Sequence, residues 1–378
     1  MRIAVITNSR IPSLTANSIQ AMKVCQALTQ LGHEIRVFAP RETALVPWER
    51  LASHYGLSTP FEIKWLPSIP VLKRYDFTLH SILAACKFKA DLIYTWLLNP
   101  TVVALWLGWP VVLEMHAEVT GKLGPWLMRR FWRSSTPKRM LVTTRPLRDA
   151  IETAAGLTLP DEAVQIAPNG VDPAQYASLP DAAEARRQLG LEEKLTAGFT
   201  GHIYPGRGAD LLFELAQRMP DVNFLWVGGA PEEVNHWRDR LAEVGASNVT
   251  MTGFVENSGL PLYQSAADVL LMPYGRSISA SSGQDIAEVI NPMKMFDYMA
   301  AGRAIVSADL PVIHEVLNEG NAIFCEPGNA DAWERALREL LADESRRLAL
   351  STQARKDVTR YTWLARAKHA LEGWGSKR

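Results

Sequence analysis

Two stretches of the chain bring glycines and cations together where a phosphate could be held. The first, Ala197–Leu212, reads AGFTGHIYPGRGADLL. An apolar strand pattern ends at Thr200-Gly201 and a helix pattern opens near Gly208, which leaves His202 and Arg207 in the loop between them. Such a loop leaves backbone N–H groups free, and the helix N-terminus favours an anion. Arg207 adds a fixed charge whose paired donors suit phosphate oxygens. An ordinary strand-to-helix loop with a surface arginine is the plainer alternative. The second stretch, Asp285–Ala308, reads DIAEVINPMKMFDYMAAGRAIVSA. Asn291 as N-cap with Pro292 at the first helical position marks a helix start, and Gly302 marks its stop. Lys294 supplies another cation, and Asp297, a turn and a half further on, can accept from a ribose hydroxyl. A core-packed helix with Met293, Phe296 and Met299 inside and Asp297 in solvent fits the same letters.

Both stretches lie in a regular alternation of short Val/Ile-rich runs with amphipathic segments of helical length. In the first half the runs are Arg2–Thr7, Glu34–Ala39, Phe61–Leu66, Asp91–Tyr94, Val111–Glu114, Arg139–Thr143 and Ala163–Ile166. In the second they are Thr196–Thr200, Asn223–Val227, Val249–Met251, Val269–Met272, Ala304–Ser307 and Ala322–Phe324. Strands separated by helices imply βαβ units and parallel sheets covered on both faces. The expected fold class is therefore α/β, with two Rossmann-like domains. The turn formers between Pro168 and Leu191 mark the connection. That gives an N-terminal domain over 1–175 and a C-terminal domain over 190–357, with the amphipathic tail 358–378 left to pack on one of them.

Composition narrows the class of protein. The 378 residues carry 40 basic and 40 acidic side chains, a formal charge of zero, which argues against a general nucleic-acid binder. Three scattered cysteines, Cys25, Cys86 and Cys325, provide neither a disulfide framework nor a paired-thiol metal site. The start, MRIAVITNSR, is too short an apolar run for a signal peptide, and no run of 18 apolar residues is present. A cytoplasmic location is the expectation.

Taken together, the two glycine-bounded stretches resemble the GT-B glycosyltransferases of group 1 (GT4-like). The first resembles their G-R-x(4)-K-G loop, and the second their E-x(7)-E helix followed by an A-x-G-x-P-I-V strand. Asn8–Pro40, APNGVDP at Ala167–Pro173, TGFV at Thr252–Val255, ADVLLMP at Ala267–Pro273 and IFCEPGNADAW at Ile323–Trp333 extend the resemblance over nearly the whole chain. It implies two Rossmann-like domains facing a cleft, with the C-terminal helix crossing back onto the first domain. It also implies a nucleotide-sugar donor held mainly by the second domain and an acceptor held mainly by the first. The donor diphosphate would meet Gly201, His202, Arg207, Asn291, Pro292, Met293 and Lys294, and the ribose would meet Asp297. His202 stands where the family has arginine, and Arg207 where it has lysine. The first acid of E-x(7)-E is replaced by Val289, so the nearby Asp285 and Glu288 become the candidate donor-sugar contacts.

The same resemblance assigns roles in the first domain. His116, in EMHAE, matches the family histidine near the transferred sugar, and Glu114 and Glu118 flank it. His116, Arg207 and Lys294 are the candidate catalytic residues. Asn17, Ser18 and Gln20 open a helix that would contact acceptor or phosphate, or that merely has a good cap. No D-x-D occurs in the sequence, so no metal site and no cofactor beyond the nucleotide-sugar co-substrate is expected. The implied reaction is a retaining, metal-independent transfer of a hexose-type sugar to a glycan, a lipid-linked saccharide or a small molecule. A GT-B nucleotide-sugar epimerase and a nucleotide-binding scaffold that has lost catalysis are the alternatives.

From Val119 to Arg148 the sequence has eight basic residues and no acidic one. Lys122, Trp126, Arg129, Arg130, Trp132 and Arg133 would form a basic, aromatic helix suited to the inner face of an anionic membrane or to an anionic acceptor. With Leu123, Leu127 and Phe131 on one stripe, it equally fits a helix packed on the sheet.

Overall fold

The structure is a computed structural model and describes residues 1–41, 46–72, 75–119, 121, 123–279 and 283–374. The chain divides into two compact units: Met1–Asn169 with Trp363–Arg378, and Gly170–Thr362.

In the first unit the strands are β1 (Arg2–Ile6), β2 (Glu34–Pro40), β3 (Glu62–Leu66), β4 (Leu92–Thr95), β5 (Val111–Met115), β6 (Lys138–Val142) and β7 (Val164–Ile166). The helices between them are α1 (Ala16–Gln30), α2 (Trp48–Tyr55), α3 (Tyr75–Phe88), α4 (Leu98–Trp106), α5 (Leu123–Arg133) and α6 (Arg145–Ala155). All strand pairs are parallel, in the order β3-β2-β1-β4-β5-β6-β7. The central strands are near-continuous apolar runs because helices cover both faces. Ile3, Val5, Ile93, Val112 and Leu141 have no more than 1% exposure, and each such side chain contributes about 1.5–3 kcal/mol relative to an exposed one.

The second unit opens with α7 (Ala182–Leu189), capped by the Asp181 side chain on the Glu184 amide at 2.8 Å. Its sheet is built from β8 (Thr196–Thr200), β9 (Asn223–Val227), β10 (Val249–Gly253), β11 (Val269–Met272), β12 (Ala304–Ala308) and β13 (Ile323–Cys325). These strands are parallel in the order β10-β9-β8-β11-β12-β13. The helices are α8 (Ala209–Arg218), α9 (Pro231–Glu243), α10 (Leu260–Ser265), α11 (Met293–Ala301), α12 (Ala330–Ala342) and α13 (Glu344–Val358). A final helix, α14 (Trp363–Ala370), returns to the first unit and packs on α1.

Every expected strand is present, displaced by at most two residues at an end. The unit boundary differs from the expected one. Residues 170–175 and 358–362 belong to the second unit, because Val171 bridges Thr362 and Tyr176 donates from its hydroxyl to Gln264 at 2.9 Å. The α1 helix begins at Ala16, and α11 begins at Met293 with Pro292 as its cap, one residue later than expected. The Pro292 backbone is extended and its carbonyl accepts from Met295, so proline precedes the first turn.

In each sheet the strand order reverses once, between β1 and β4 in the first unit and between β8 and β11 in the second. The carboxyl ends of the strands at such a reversal form a crevice, the usual ligand position in open α/β sheets.

Candidate functional site

In the second unit that crevice gathers most of the predicted donor residues. β8 ends at Thr200, whose amide donates to the Tyr298 hydroxyl at 2.7 Å, tying α11 to the strand end. The loop from Gly201 to Gly208 then runs past the end of β11. Gly206 and Gly208 have φ of +78° and +95°, a region that L side chains rarely adopt. A Cβ at Gly206 would lie 1.9 Å from the Ser277 carbonyl, and one at Gly208 would lie 2.1 Å from that of Pro273. Only glycines let the loop pass so close to the neighbouring backbone.

Two cations converge on this loop. The Lys294 side chain lies along the end of β8, with Nζ 3.8 Å from the centre of the Phe199 ring and 5.5 Å from that of Tyr274. The residue as a whole is half-buried, yet its Nζ has no solvent contact and no hydrogen-bond partner among the described residues. Burial lowers the Lys294 pKa well below the lysine range; Arg207 lowers it further and Asp297 opposes both. The Arg207 guanidinium lies 5.7 Å from the Tyr274 ring and donates to the Ser279 carbonyl at 3.4 Å, while its buried Nε has no partner. Burial pushes the Tyr274 phenol up, against the pull of Arg207. Aromatic walls and the unsatisfied donors of Arg207 and Lys294 together make a pocket short of acceptors among the described residues. An oxyanion with several acceptor oxygens would satisfy it.

Other predicted residues fall into place less uniformly. His202 stacks on Tyr204 with ring centres 4.7 Å apart. Asp297 is half-buried beside the Tyr176 hydroxyl, whose pKa is raised by burial and then by that carboxylate. The Gly201 amide is not available to a ligand, because it donates to the Val227 carbonyl at 2.8 Å and so continues the β8–β9 pairing. Asn291 is buried, while Met293 and Lys294 occupy the first turn of α11, where amides have no intrahelical acceptor. Asp285 is exposed and accepts from the amides of Ile278 and Ala287 at 2.9 and 3.0 Å, closing its own loop; Glu288 is exposed. Val289, in place of the missing acid, is buried.

In the first unit His116 follows β5 and is hydrogen-bonded through Nε2 to Glu114 Oε1 at 2.5 Å. Glu114 has no solvent contact at its side chain and is the hub of a cluster. It accepts from Gln20 Nε2, Tyr94 Oη and His116, and from both terminal nitrogens of Arg366 on α14 at 3.1 and 2.6 Å. Burial alone would raise its pKa; Arg366 and His116 overcome that and hold it well below the usual carboxylate range. Arg366 and Tyr94 were not among the sequence candidates. The one local signal was a glutamate inside the apolar run VVLEM.

Two of the three expected acceptor contacts on α1 are used internally. Gln20 is committed to Glu114, and the Ser18 hydroxyl lies 2.9 Å from the Ser13 carbonyl and 3.2 Å from the Tyr55 hydroxyl. Asn17 is exposed.

The basic helix also divides. On α5, Leu127, Met128 and Phe131 face inward, so most of the predicted stripe is core. Arg129 donates to the Ala155 carbonyl at 3.0 Å, and Trp132 packs edge-on against Phe131. Trp126, Arg130 and Arg133 face solvent, with Arg130 over the Trp126 ring. Lys122 lies outside the described residues. An exposed apolar row that sequence reasoning missed, Tyr75, Leu79 and Leu83, runs along α3, which packs on α4 as α4 packs on α5.

Two doubly wound parallel units, one with a cation pair at its switch point, define a GT-B type of fold. Solved structures agree. That of Anabaena Alr3699/HepE in complex with UDP has a TM-score of 0.75 at 17% identity, covering 98% of this chain and 99% of that one. The family model for glycosyl transferases group 1 matches residues 194–343, and that for glycosyltransferase family 4 matches residues 18–175. The chain belongs to the group 1 glycosyltransferases. It is 26% identical to the phosphatidyl-myo-inositol mannosyltransferase of Mycolicibacterium smegmatis, over 90% of this chain and 85% of that protein. It is 27% identical to the 2-deoxystreptamine glucosyltransferase of Streptomyces kanamyceticus, over 54% and 56%. Several other curated relatives are matched over only 36–53% of their length.

Proposed function

We propose that this chain transfers a sugar from a nucleotide-diphosphate sugar to a carbohydrate or lipid-linked acceptor. The observation that carries the reading is the pair of enclosed cations, Arg207 and Lys294, left short of acceptors at the switch point of the second unit. The diphosphate takes that place, and the first turns of α8 and α11 add N–H donors. Asp297 accepts from the ribose, and His116 contacts the transferred sugar or the acceptor. In the transfer, the bond between the anomeric carbon and the diphosphate oxygen breaks as the acceptor oxygen bonds to that carbon. The acceptor's proton leaves on the departing phosphate. Charge on that leaving group is met by Arg207 and Lys294. Retention of configuration and independence of metal follow the family resemblance and belong to the proposal. The test is release of nucleoside diphosphate from UDP- and GDP-sugars, compared between wild type and Arg207→Ala. Turnover with one donor series that Arg207→Ala abolishes supports the reading; turnover untouched by that substitution overturns it.

We further infer that the acceptor side works at an anionic bilayer surface. Exposed Tyr75, Leu79, Leu83 and Trp126 lie on neighbouring helices with exposed Lys87, Arg130 and Arg133. Apolar and aromatic groups bordered by cations suit the headgroup region. Among the described residues no helix is long and apolar enough to cross a membrane.

A further inference from the structure

Arg366 reaches Glu114 across 252 positions of sequence and uses its whole guanidinium where it lands. Nε donates to the carbonyl of Pro168 at 2.9 Å, Nη2 donates to Glu114 and to the Ala167 carbonyl, and Nη1 reaches Glu114 and Tyr94 Oη. The side chains of Arg366 and Glu114 are 5% and 0% exposed. Five donors thus converge on the two carboxylate oxygens. One of them is His116 Nε2, on a ring that can donate from one nitrogen and accept at the other.

Resting on the assignment of His116 to the transfer site, we propose that Arg366 is a positioning residue for His116. By supplying the counter-charge of Glu114, it lets that carboxylate orient the imidazole without drawing an extra proton onto it. A carboxylate only accepts, so the neutral ring carries its hydrogen on Nε2 and presents Nδ1 as the lone-pair atom. Take away the guanidinium and Glu114 becomes an unpaired enclosed anion with the imidazole as its nearest source of positive charge. The groups facing this centre are Gln20 and the Cys25 thiol on α1, Tyr94 on β4, His116 after β5 and Arg366 on α14. Of these only His116 can replace the lost cation. The Cys25 thiol and the Tyr94 phenol are pushed up, first by burial and then by Glu114.

A simpler role, anchoring α14 to the first unit, uses the same contacts but leaves the imidazole indifferent to the charge on its partners. Nitrogen NMR of the imidazoles in the full chain separates the two. The sequence has eight histidines, and the His116 signal is identified by its loss in His116→Gln. Arg366→Met should raise the His116 titration midpoint by about one unit or more, and Glu114→Gln, which strands the guanidinium instead, should lower it. Arg366→Lys should stay close to wild type. If Arg366→Met does not fold, Glu114→Gln and Arg366→Lys still give the sign. Midpoint and tautomer unchanged in the folded charge-altering variants would overturn the proposal and leave anchoring alone. The transfer role of His116 is tested separately, by turnover of His116→Gln: loss of turnover with an unresponsive midpoint refutes the positioning role only.

Discussion

Glu114 and Lys294 are both enclosed ionisable groups, and the molecule treats them in opposite ways. Around Glu114 every approach is filled by a donor: Gln20, Tyr94, His116 and a two-pronged Arg366. Around Lys294 lie aromatic faces, the Arg207 guanidinium and the opposing charge of Asp297, yet its Nζ has no hydrogen-bond acceptor among the described residues. An isolated charge in a low-dielectric interior is costly unless it is paired. A complete cluster fixes a geometry, whereas an incomplete one holds affinity in reserve for a ligand that completes it. On the reading proposed above, the first unit sets the pose of one imidazole and the second keeps a place for an anion.

The strongest way to break this contrast is to unpair the complete cluster. Arg366→Met should destabilise the protein by about 3–5 kcal/mol in urea unfolding, because it strands a buried carboxylate. The double variant Glu114→Gln/Arg366→Met should recover much of that loss. The same neutralisation in the second unit, Lys294→Met, should leave the ligand-free protein as stable as wild type or more so.

Ligand-dependent readouts should reverse that ranking. Arg207→Ala and Lys294→Ala should each lower turnover by about 10²–10³-fold, the usual effect of losing one donor to a developing oxyanion. A smaller effect belongs to the loop that carries Arg207. Gly208→Ala places a Cβ against the Pro273 carbonyl at positive φ and should cost about 1–3 kcal/mol of stability. Nucleotide affinity should fall with it, measured by titration calorimetry.

The smallest effect is in pH dependence. The lowered pKa of Lys294 means the folded protein binds fewer protons than the unfolded chain between that lowered value and the ordinary lysine value of about 10.4. Stability of the ligand-free protein should therefore rise as pH climbs through that window, and the rise should shrink in Lys294→Met. An incoming diphosphate favours the ammonium, so nucleotide binding should take up a proton there and weaken as pH rises. Calorimetry in two buffers of different ionisation enthalpy measures that uptake.

Much of this was legible in the sequence, for reasons particular residues make plain. The strands could be read because both sheets are buried on both faces, which leaves continuous Val/Ile runs such as Val269–Met272. Arg207 and Lys294 could be read because glycine and proline punctuate the strand-to-helix junctions that hold them. The use of the Gly201 amide lay outside the sequence reading because its partner, the Val227 carbonyl, is set by strand register, which local pattern does not carry. The pairing of Glu114 with Arg366 lay beyond reach because it joins residues 252 positions apart. The stripe on α5 was ambiguous because one spacing serves both a membrane face and a core face, and Leu127 and Phe131 turned inward.

The most direct test is thermal unfolding of wild type and Arg207→Ala across concentrations of UDP, GDP, ADP and their sugar conjugates. A ligand that binds only the native state raises the unfolding midpoint with the logarithm of its concentration once it exceeds its dissociation constant. The expected result is such a rise with one nucleotide series in wild type, lost in Arg207→Ala. No rise with any of them, or a rise that survives the substitution, would contradict the assignment of the cation pair to a nucleotide diphosphate.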